Sequence, residues 1–104
     1  MGSVRLLVRI QYPRQMYYVY FLKSQKNGKV YVGSTGQSPA VRLEQHNRGR
    51  NKFTKENRPF VLLYFEKYLC REDATLREKF YKTGFGREIR NIIIESASIK
   101  IYQT

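Results

Sequence analysis

The chain has 104 residues, with 20 Lys and Arg against 8 Asp and Glu, and therefore carries a net charge of +12. This length suits a single domain, and contents of 41% hydrophobic and 14% aromatic residues exclude a disordered basic tail. Cys70 is the only cysteine, which excludes an internal disulfide and a CxxC metal site, and no apolar run reaches the roughly 20 residues of a membrane span.

The first predicted elements are two strands joined by a tight turn. Residues 1–15 precede the first periodic pattern and are predicted to be an N-terminal extension, with a strand over residues 4–10 as the alternative. Residues 17–23 and 29–33 are rich in β-branched and aromatic side chains and flank Asn27-Gly28. An Asn-Gly pair between such runs favours a type I′ turn, in which both central residues need positive φ. We therefore predict an antiparallel hairpin.

A helix and a loop are predicted next. Ser38-Pro39 indicates a helix start, because serine is a favoured N-cap and proline suits the first helical position. The helix is expected to continue to about residue 48, with Arg42 and His46 four residues apart on one face. Residues 48–59 are basic and interrupted by glycine, which predicts a loop.

The remaining pattern predicts a third strand and two helices. Residues 60–68 form an apolar and aromatic run typical of a buried strand. Acidic residues at 72 and 73 favour a helix start, and that helix is expected to reach residue 82. A second helix is predicted over 87–95, before a C-terminal tail, 96–104, with a strand-like stretch. The order β-β-α-β-α-α predicts an α+β domain over residues 16–95, with a three-stranded antiparallel sheet flanked by helices.

The charge distribution points to nucleic acid as the partner. Residues 1–43 contain no acidic side chain. A second basic cluster is interrupted only by Glu56 and comprises Arg48, Arg50, Lys52, Lys55 and Arg58. Such a field attracts a phosphate backbone, whereas the plain alternative is a soluble basic surface. A membrane-surface role is disfavoured, because no segment combines a basic face with a long apolar one.

Five short motifs in a fixed order resemble the GIY-YIG endonuclease superfamily. They are Tyr18-Val19-Tyr20, Tyr31-Val32-Gly33, Arg42-Leu43 with His46-Asn47, Ala74 with Glu78, and Lys82-Thr83-Gly84-Phe85-Gly86. The likeness is greatest to the small single-domain branch and covers about residues 17–94. Two departures occur: Tyr18 stands where the family name has glycine, and Val32 replaces isoleucine.

The resemblance implies a nuclease whose metal ligand is Glu78. Phosphodiester cleavage needs an oriented water and stabilisation of the charge that develops on the phosphoryl oxygens. A single carboxylate suits Mg²⁺, with Mn²⁺ as a substitute, because Mg²⁺ keeps most of its waters and also binds substrate phosphate. Outside such a motif, Glu78 would be read as a solvated glutamate that pairs with Arg71 or Lys82.

The other expected catalytic residues are Tyr20, Tyr31, Arg42 and His46. Arg42 would hold the scissile phosphate through its planar guanidinium. One of the two tyrosine hydroxyls would deprotonate or orient the attacking water, which for a phenol of pKa about 10 requires nearby positive charge. His46 would orient a tyrosine or contact phosphate. We expect the phenols, the guanidinium and the Glu78 carboxylate to converge on one shallow cationic surface.

Two further predictions concern the backbone and the loop. Gly33 is expected to end the second strand at a structural turn past the active face. Loop residues expected to contact phosphates, and so to raise affinity more than sequence preference, are Arg48, Arg50, Lys52 and Lys55.

The sequence leaves the choice of function and substrate open. The first reading is a Mg²⁺-dependent DNA endonuclease of low sequence specificity, acting on double-stranded or branched DNA as a monomer or weak dimer. The alternatives are a non-catalytic nucleic-acid-binding module and an RNA-directed basic protein. We expect an intracellular location, cytoplasmic or in the nucleoid, with an organelle as the alternative.

Overall fold

The computed structural model describes residues 14–103, and the side chains of residues 14–97. Its elements are β1 (Tyr17–Ser24), β2 (Val30–Thr35), α1 (Pro39–Asn47), a 3-10 turn (Lys55–Asn57), β3 (Phe60–Tyr68), α2 (Arg71–Tyr81) and α3 (Gly84–Gln103). The three strands form one antiparallel sheet in the order β2-β1-β3. The predicted fold class is confirmed, while the alternative strand at residues 4–10 lies outside the described residues.

The sheet buries side chains on both of its faces, because successive strand residues point to opposite sides. Val19 and Phe21 of β1 pack with Ala74 and Tyr81 of α2. Tyr20 and Leu22 of β1 form a second cluster on the other face, and α1 covers it. The sheet is therefore a middle layer between α1 on one side and the pair α2 and α3 on the other.

The turn between β1 and β2 differs from the predicted one. Tyr20 pairs with Gly33 across the two strands, so the predicted hairpin is confirmed. The connection spans residues 25–29, however, and only Gly28 within it has positive φ, at 76°. The Ser24 hydroxyl accepts hydrogen bonds from the amides of Lys26 and Asn27. This side-chain bonding holds a longer loop, so the two-residue type I′ turn was wrong.

The start of α1 follows its capping residues. Ser38 Oγ accepts a hydrogen bond from the Ala40 amide at 3.2 Å, and Pro39 occupies the first turn. The predicted helix start is confirmed, and the helix ends at Asn47. Both Asn47 side-chain groups bond the backbone of Phe60, which ties the end of α1 to the start of β3.

A nearly buried carboxylate joins β3 to α2. Glu66 accepts hydrogen bonds from the hydroxyls of Tyr64, Tyr68 and Tyr81 and pairs with Arg77, whose Nε lies 3.3 Å away. Burial alone would raise the pKa of Glu66, but the three hydroxyl donors and the guanidinium outweigh it and hold the pKa below its usual value.

The C-terminal segment is helical rather than strand-like. Helix α3 runs without interruption from Gly84 to Gln103, so the strand interpretation of the tail is wrong over residues 96–103. No glycine or proline follows residue 86, and extending an existing helix adds a hydrogen bond for each residue ordered. Among the helices described, none is both long and apolar enough to cross a bilayer.

Candidate functional site

A buried tyrosine–histidine pair lies between the sheet and α1. Tyr20 of β1 is 1% exposed and His46 of α1 is fully buried. The Tyr20 hydroxyl lies 3.0 Å from His46 Nε2, and the other ring nitrogen, Nδ1, lies 2.6 Å from Thr54 Oγ1. Both nitrogens of the imidazole are therefore bonded within the protein. His46 is thus hydrogen-bonded to the Tyr20 hydroxyl and shielded from direct contact with solvent.

The histidine is held in its neutral form. Burial, assisted by the positive charge of Arg42, lowers the pKa of His46 to about 4. A neutral imidazole has one donor and one acceptor nitrogen, which matches its two hydroxyl partners. The imidazole of His46 is therefore an uncharged hydrogen-bonding group near neutral pH.

Gly33 makes room for Tyr20 and does not form a turn. It lies inside β2, which continues to Thr35, so the prediction of a strand end at Gly33 was wrong. A Cβ at position 33 would lie 2.6 Å from Cζ of Tyr20 and closer still to its hydroxyl oxygen. Because Gly33 and Tyr20 are direct partners across the strands, the ring can lie over the Gly33 backbone only in the absence of a side chain.

The environment of Tyr20 opposes ionisation. Burial, followed by the charges of Tyr31 and Glu78, raises the pKa of its hydroxyl to about 12, although Arg42 acts in the opposite direction. Tyr20 therefore stays protonated near neutral pH. Tyr31, Arg42 and Glu78 therefore each lie within electrostatic reach of Tyr20, although they are far apart in the sequence.

Tyr31 is the more accessible of the two expected phenols. It is half-buried on β2, with its ring centroid 5.1 Å from that of His46 and 6.4 Å from that of Tyr20. Arg42, one turn before His46 on α1, is also half-buried, and its Nη1 donates to Gln45 Oε1 at 2.5 Å. A phenol and a guanidinium therefore reach the surface beside the buried pair.

Glu78 approaches from the opposite face of the sheet. Its Oε1 accepts a hydrogen bond from Ser34 Oγ at 2.5 Å, and its Oε2 lies 2.7 Å from Lys82 Nζ. Its side chain is 21% exposed, so it is neither freely solvated nor sealed in the core. Ser34 is the residue after Gly33, and alternation along the strand turns it toward α2.

The expected groups lie on the two sides of strand β2. Among the strands of residues 14–103, β2 is at the edge of the sheet, with Tyr31 and Arg42 on its α1 side and Glu78 on its α2 side. They do not share a single face of the sheet, as a simple convergence would require. Since the Glu78 charge still acts on Tyr20, the carboxylate and the phenols flank the same short stretch of β2.

The donor set at this edge fits a magnesium ion. In the part of the chain that the structure describes, no three His, Cys, Asp or Glu side chains cluster as a metal cage would require. Mg²⁺ is commonly bound through one or two carboxylates and keeps its other positions for water and phosphate, which a lone Glu78 allows. A closed four-ligand zinc site does not fit these donors.

The predicted basic residues lie on an exposed loop next to α1. Residues Arg48, Arg50, Lys52 and Lys55 are all exposed. Arg48 forms an ion pair with Glu44 one helical turn earlier, with both side chains largely in solvent. The loop is anchored to the site, because Thr54 within it bonds His46.

Three supporting residues were not predicted: Ser34, which bonds Glu78; Thr54, which bonds His46; and Gln45, which bonds Arg42. Ser34 follows the recognised Tyr31-Val32-Gly33 motif and Gln45 precedes His46, so proximity to the motifs was the available signal. Thr54 carries no such signal, because its partner is eight residues away across a loop.

Comparison with known proteins agrees with this architecture. The sequence-family model of the GIY-YIG catalytic domain matches residues 16–91 of this chain. A UPF0213 protein of Staphylococcus haemolyticus is 39% identical over 80 residues, covering 76% of this chain and 94% of the relative. A UPF0213 protein of Staphylococcus aureus is 40% identical over 68 residues, covering 64% of this chain and 80% of the relative. No solved structure gives a significant match. The chain belongs to the GIY-YIG family and carries its catalytic domain.

Proposed function

We propose that this protein is a Mg²⁺-dependent endonuclease that hydrolyses phosphodiester bonds in DNA, with Tyr31, Arg42 and Glu78 as its catalytic residues. The GIY-YIG domain implies nuclease activity in general. The observation that supports the more specific proposal is that Tyr31, Arg42 and Glu78 each act electrostatically on Tyr20, whose hydroxyl is bonded to His46 and whose ring lies over Gly33 of β2.

Each of these side chains has a distinct task in this proposal. Arg42 binds two oxygens of the scissile phosphate, and the Tyr31 oxygen accepts a hydrogen bond from the attacking water. The water oxygen forms a bond to phosphorus as one ester P–O bond breaks; the water gives up a proton to solvent, and the displaced oxygen takes up a proton and leaves as a hydroxyl. Bound at Glu78, Mg²⁺ would stabilise charge on the phosphate and leaving oxygens. Mn²⁺ is the expected substitute.

Tyr31 is preferred over Tyr20 as the phenol that handles the water. Tyr20 is buried, donates to or accepts from His46, and has a pKa of about 12. Its hydroxyl is therefore unsuited to accept a proton near neutral pH. We assign Tyr20 and His46 as positioning residues, which hold the Gly33 region of β2 in place beneath the reacting phosphate.

The proposed substrate is DNA recognised by structure rather than by sequence. The exposed cations near the site are on flexible side chains suited to phosphates, which carry no base information. A branched, flapped or nicked duplex is preferred over a particular base sequence, and RNA is the competing substrate. The protein acts as a monomer or weak dimer. An intracellular location, cytoplasmic or in the nucleoid, is part of the proposal because that is where such substrates occur.

A cleavage assay with matched glutamate variants tests the proposal. Purified protein is incubated with supercoiled plasmid, a branched duplex and RNA, with Mg²⁺ or with EDTA. Glu78→Gln should abolish nicking, whereas Glu88→Gln, an exposed glutamate on α3, should leave it unchanged. Nicking that persists in Glu78→Gln with unchanged metal dependence would refute the assignment of Glu78. Tight DNA binding without cleavage under any metal would favour a non-catalytic binding module instead.

A further inference from the structure

We propose that Phe53 is a base-stacking residue, which holds an unpaired nucleotide of the substrate against the loop beside the site. The inference rests on the proposed function, because it names the part of a nucleic-acid substrate that this loop recognises. Phe53 is 85% exposed, more than the other large hydrophobic side chains in the described part of the chain. It therefore contributes little to the core that holds the sheet and helices together.

The backbone that carries Phe53 is fixed rather than free. The Phe53 amide donates to Asn51 Oδ1 at 2.8 Å, and the next residue, Thr54, is 1% exposed and bonds His46. Further along, Asn57 accepts a bond from Asn27 of the hairpin loop at 2.7 Å. An aromatic ring is thus held out into solvent from an anchored segment, which limits the entropy lost when a ligand covers the ring.

The charge around Phe53 favours nucleic acid as the ligand. Residues 48–58 carry five cationic side chains against one carboxylate, Glu56. Lys52 is the immediate neighbour of Phe53, and Arg50 and Lys55 are exposed on either side of it. Exposed aromatic rings within a cationic groove bind single strands, because bases stack on the ring while cations contact the backbone. If the ligand of Phe53 were instead an apolar surface of another protein, the excess of positive charge around the ring would have no role.

The position of the ring relates stacking to cleavage. Thr54, His46 and Tyr20 form a continuous hydrogen-bonded connection from the loop to β1, where the Tyr20 ring lies over Gly33 of β2. A base stacked on Phe53 would therefore be held at a fixed distance from the phosphate bound at Arg42. In a fully paired duplex the bases are stacked on one another, so the preferred ligand is a single-stranded flap or an unpaired junction nucleotide.

Tryptophan fluorescence gives a direct test, because the chain has no tryptophan. Phe53→Trp introduces a single reporter at the proposed contact. Leu76→Trp, at a 63% exposed position on α2, is the control reporter on the opposite side of the sheet. Each is titrated in EDTA, which prevents metal-dependent cleavage, with single-stranded DNA, a fully paired duplex and a flapped duplex. Quenching should occur for Phe53→Trp with single-stranded and flapped DNA, and not for Leu76→Trp.

Affinity and salt dependence separate stacking from charge. Phe53→Ala should weaken single-strand binding by about 5- to 150-fold, equivalent to about 1–3 kcal/mol of stacking. The slope of the logarithm of the binding constant against the logarithm of salt concentration should be the same for Phe53→Ala and wild type. Lys52→Ala should reduce the magnitude of that slope by about 0.7. Phe53→Leu, which keeps an apolar side chain, should behave like Phe53→Ala, and Phe53→Trp should retain wild-type affinity. Circular dichroism confirms that each variant is folded.

The outcomes distinguish this inference from the nuclease proposal. Equal affinity of Phe53→Ala and wild type for single-stranded DNA, or equal quenching of the two reporters, would overturn the stacking role even if Glu78-dependent nicking is observed. Specific quenching of Phe53→Trp in a protein that never cleaves would support stacking while the hydrolytic function fails.

Discussion

Replacing Gly33 with alanine should destabilise the protein severely, because the new methyl group would overlap Tyr20. The added Cβ would lie 2.6 Å from Cζ of that ring, well inside van der Waals contact. Overpacking of a core costs about 1–3 kcal/mol. A ring that swings away to relieve the overlap leaves the buried His46 Nε2 without its partner, at about 1–3 kcal/mol. Because movement of the ring relieves part of the overlap but loses the hydrogen bond to His46, the two costs do not add in full. We expect the free energy of unfolding to fall by about 2–4 kcal/mol.

The matched control for this variant is Gly36→Ala. A Cβ at position 36 would meet its nearest neighbours, Gln15 and Tyr17, at 3.4 Å, so little has to move. Urea unfolding monitored by circular dichroism measures both variants, with the wild type as reference. At about 4–8 °C per kcal/mol, Gly33→Ala should also lower Tm by at least about 8 °C. Equal stability of Gly33→Ala and Gly36→Ala would refute the packing of Tyr20 over Gly33.

Three further predictions concern the phenols, the metal ligand and the Glu66 cluster. Tyr31→Phe should abolish nicking without loss of stability. Tyr20→Phe should lower the free energy of unfolding, measured by urea titration, by about 1–3 kcal/mol, because it leaves a buried histidine nitrogen unpaired. Equal stabilities of the two variants would contradict this. Lys82→Met should lower the Mg²⁺ concentration for half-maximal nicking by up to about 5-fold. Lys82 pairs with Glu78 Oε2, and such exposed ion pairs are worth at most about 1 kcal/mol. An unchanged Mg²⁺ concentration for half-maximal nicking would show that the ion pair does not compete with the metal. The pKa of Glu66 is lower in the folded than in the unfolded protein, so the stabilisation by its carboxylate is present above the unfolded pKa and is lost as pH falls through the folded pKa. The difference in unfolding free energy between wild type and Glu66→Gln, measured by urea titration, should therefore shrink on acidification. A difference that stays constant with pH would contradict the lowered pKa of Glu66.

The local elements were predictable where a few adjacent residues determine the backbone. Ser38 and Pro39 specify the start of α1 through a cap and a fixed φ, and the structure has both. The apolar run at residues 60–68 coincides with β3. The hairpin was predicted but its turn was not, because Ser24 competes for the amides of Lys26 and Asn27 that a two-residue turn would leave free.

The candidate site was predictable only as far as the family motifs extend. Tyr20, Tyr31, Arg42 and Glu78 were recognised by motif, and the structure brings them to one edge of the sheet. Their approach from both faces of β2 depends on which way each strand residue points, which follows from the register. Partnerships that join distant segments, such as Thr54 with His46, arise from tertiary packing and have no local signature.

A double-mutant cycle on the rate of nicking tests most directly whether groups on the two sides of β2 serve one phosphate. Arg42→Lys and Glu78→Asp are measured separately and together in single-turnover reactions with a branched duplex and saturating Mg²⁺. Residues that act as a unit are strongly non-additive, so the double variant should be little slower than the slower single variant. Losses that multiply would mean that the guanidinium and the carboxylate act independently, and would contradict a shared active site at the edge of β2.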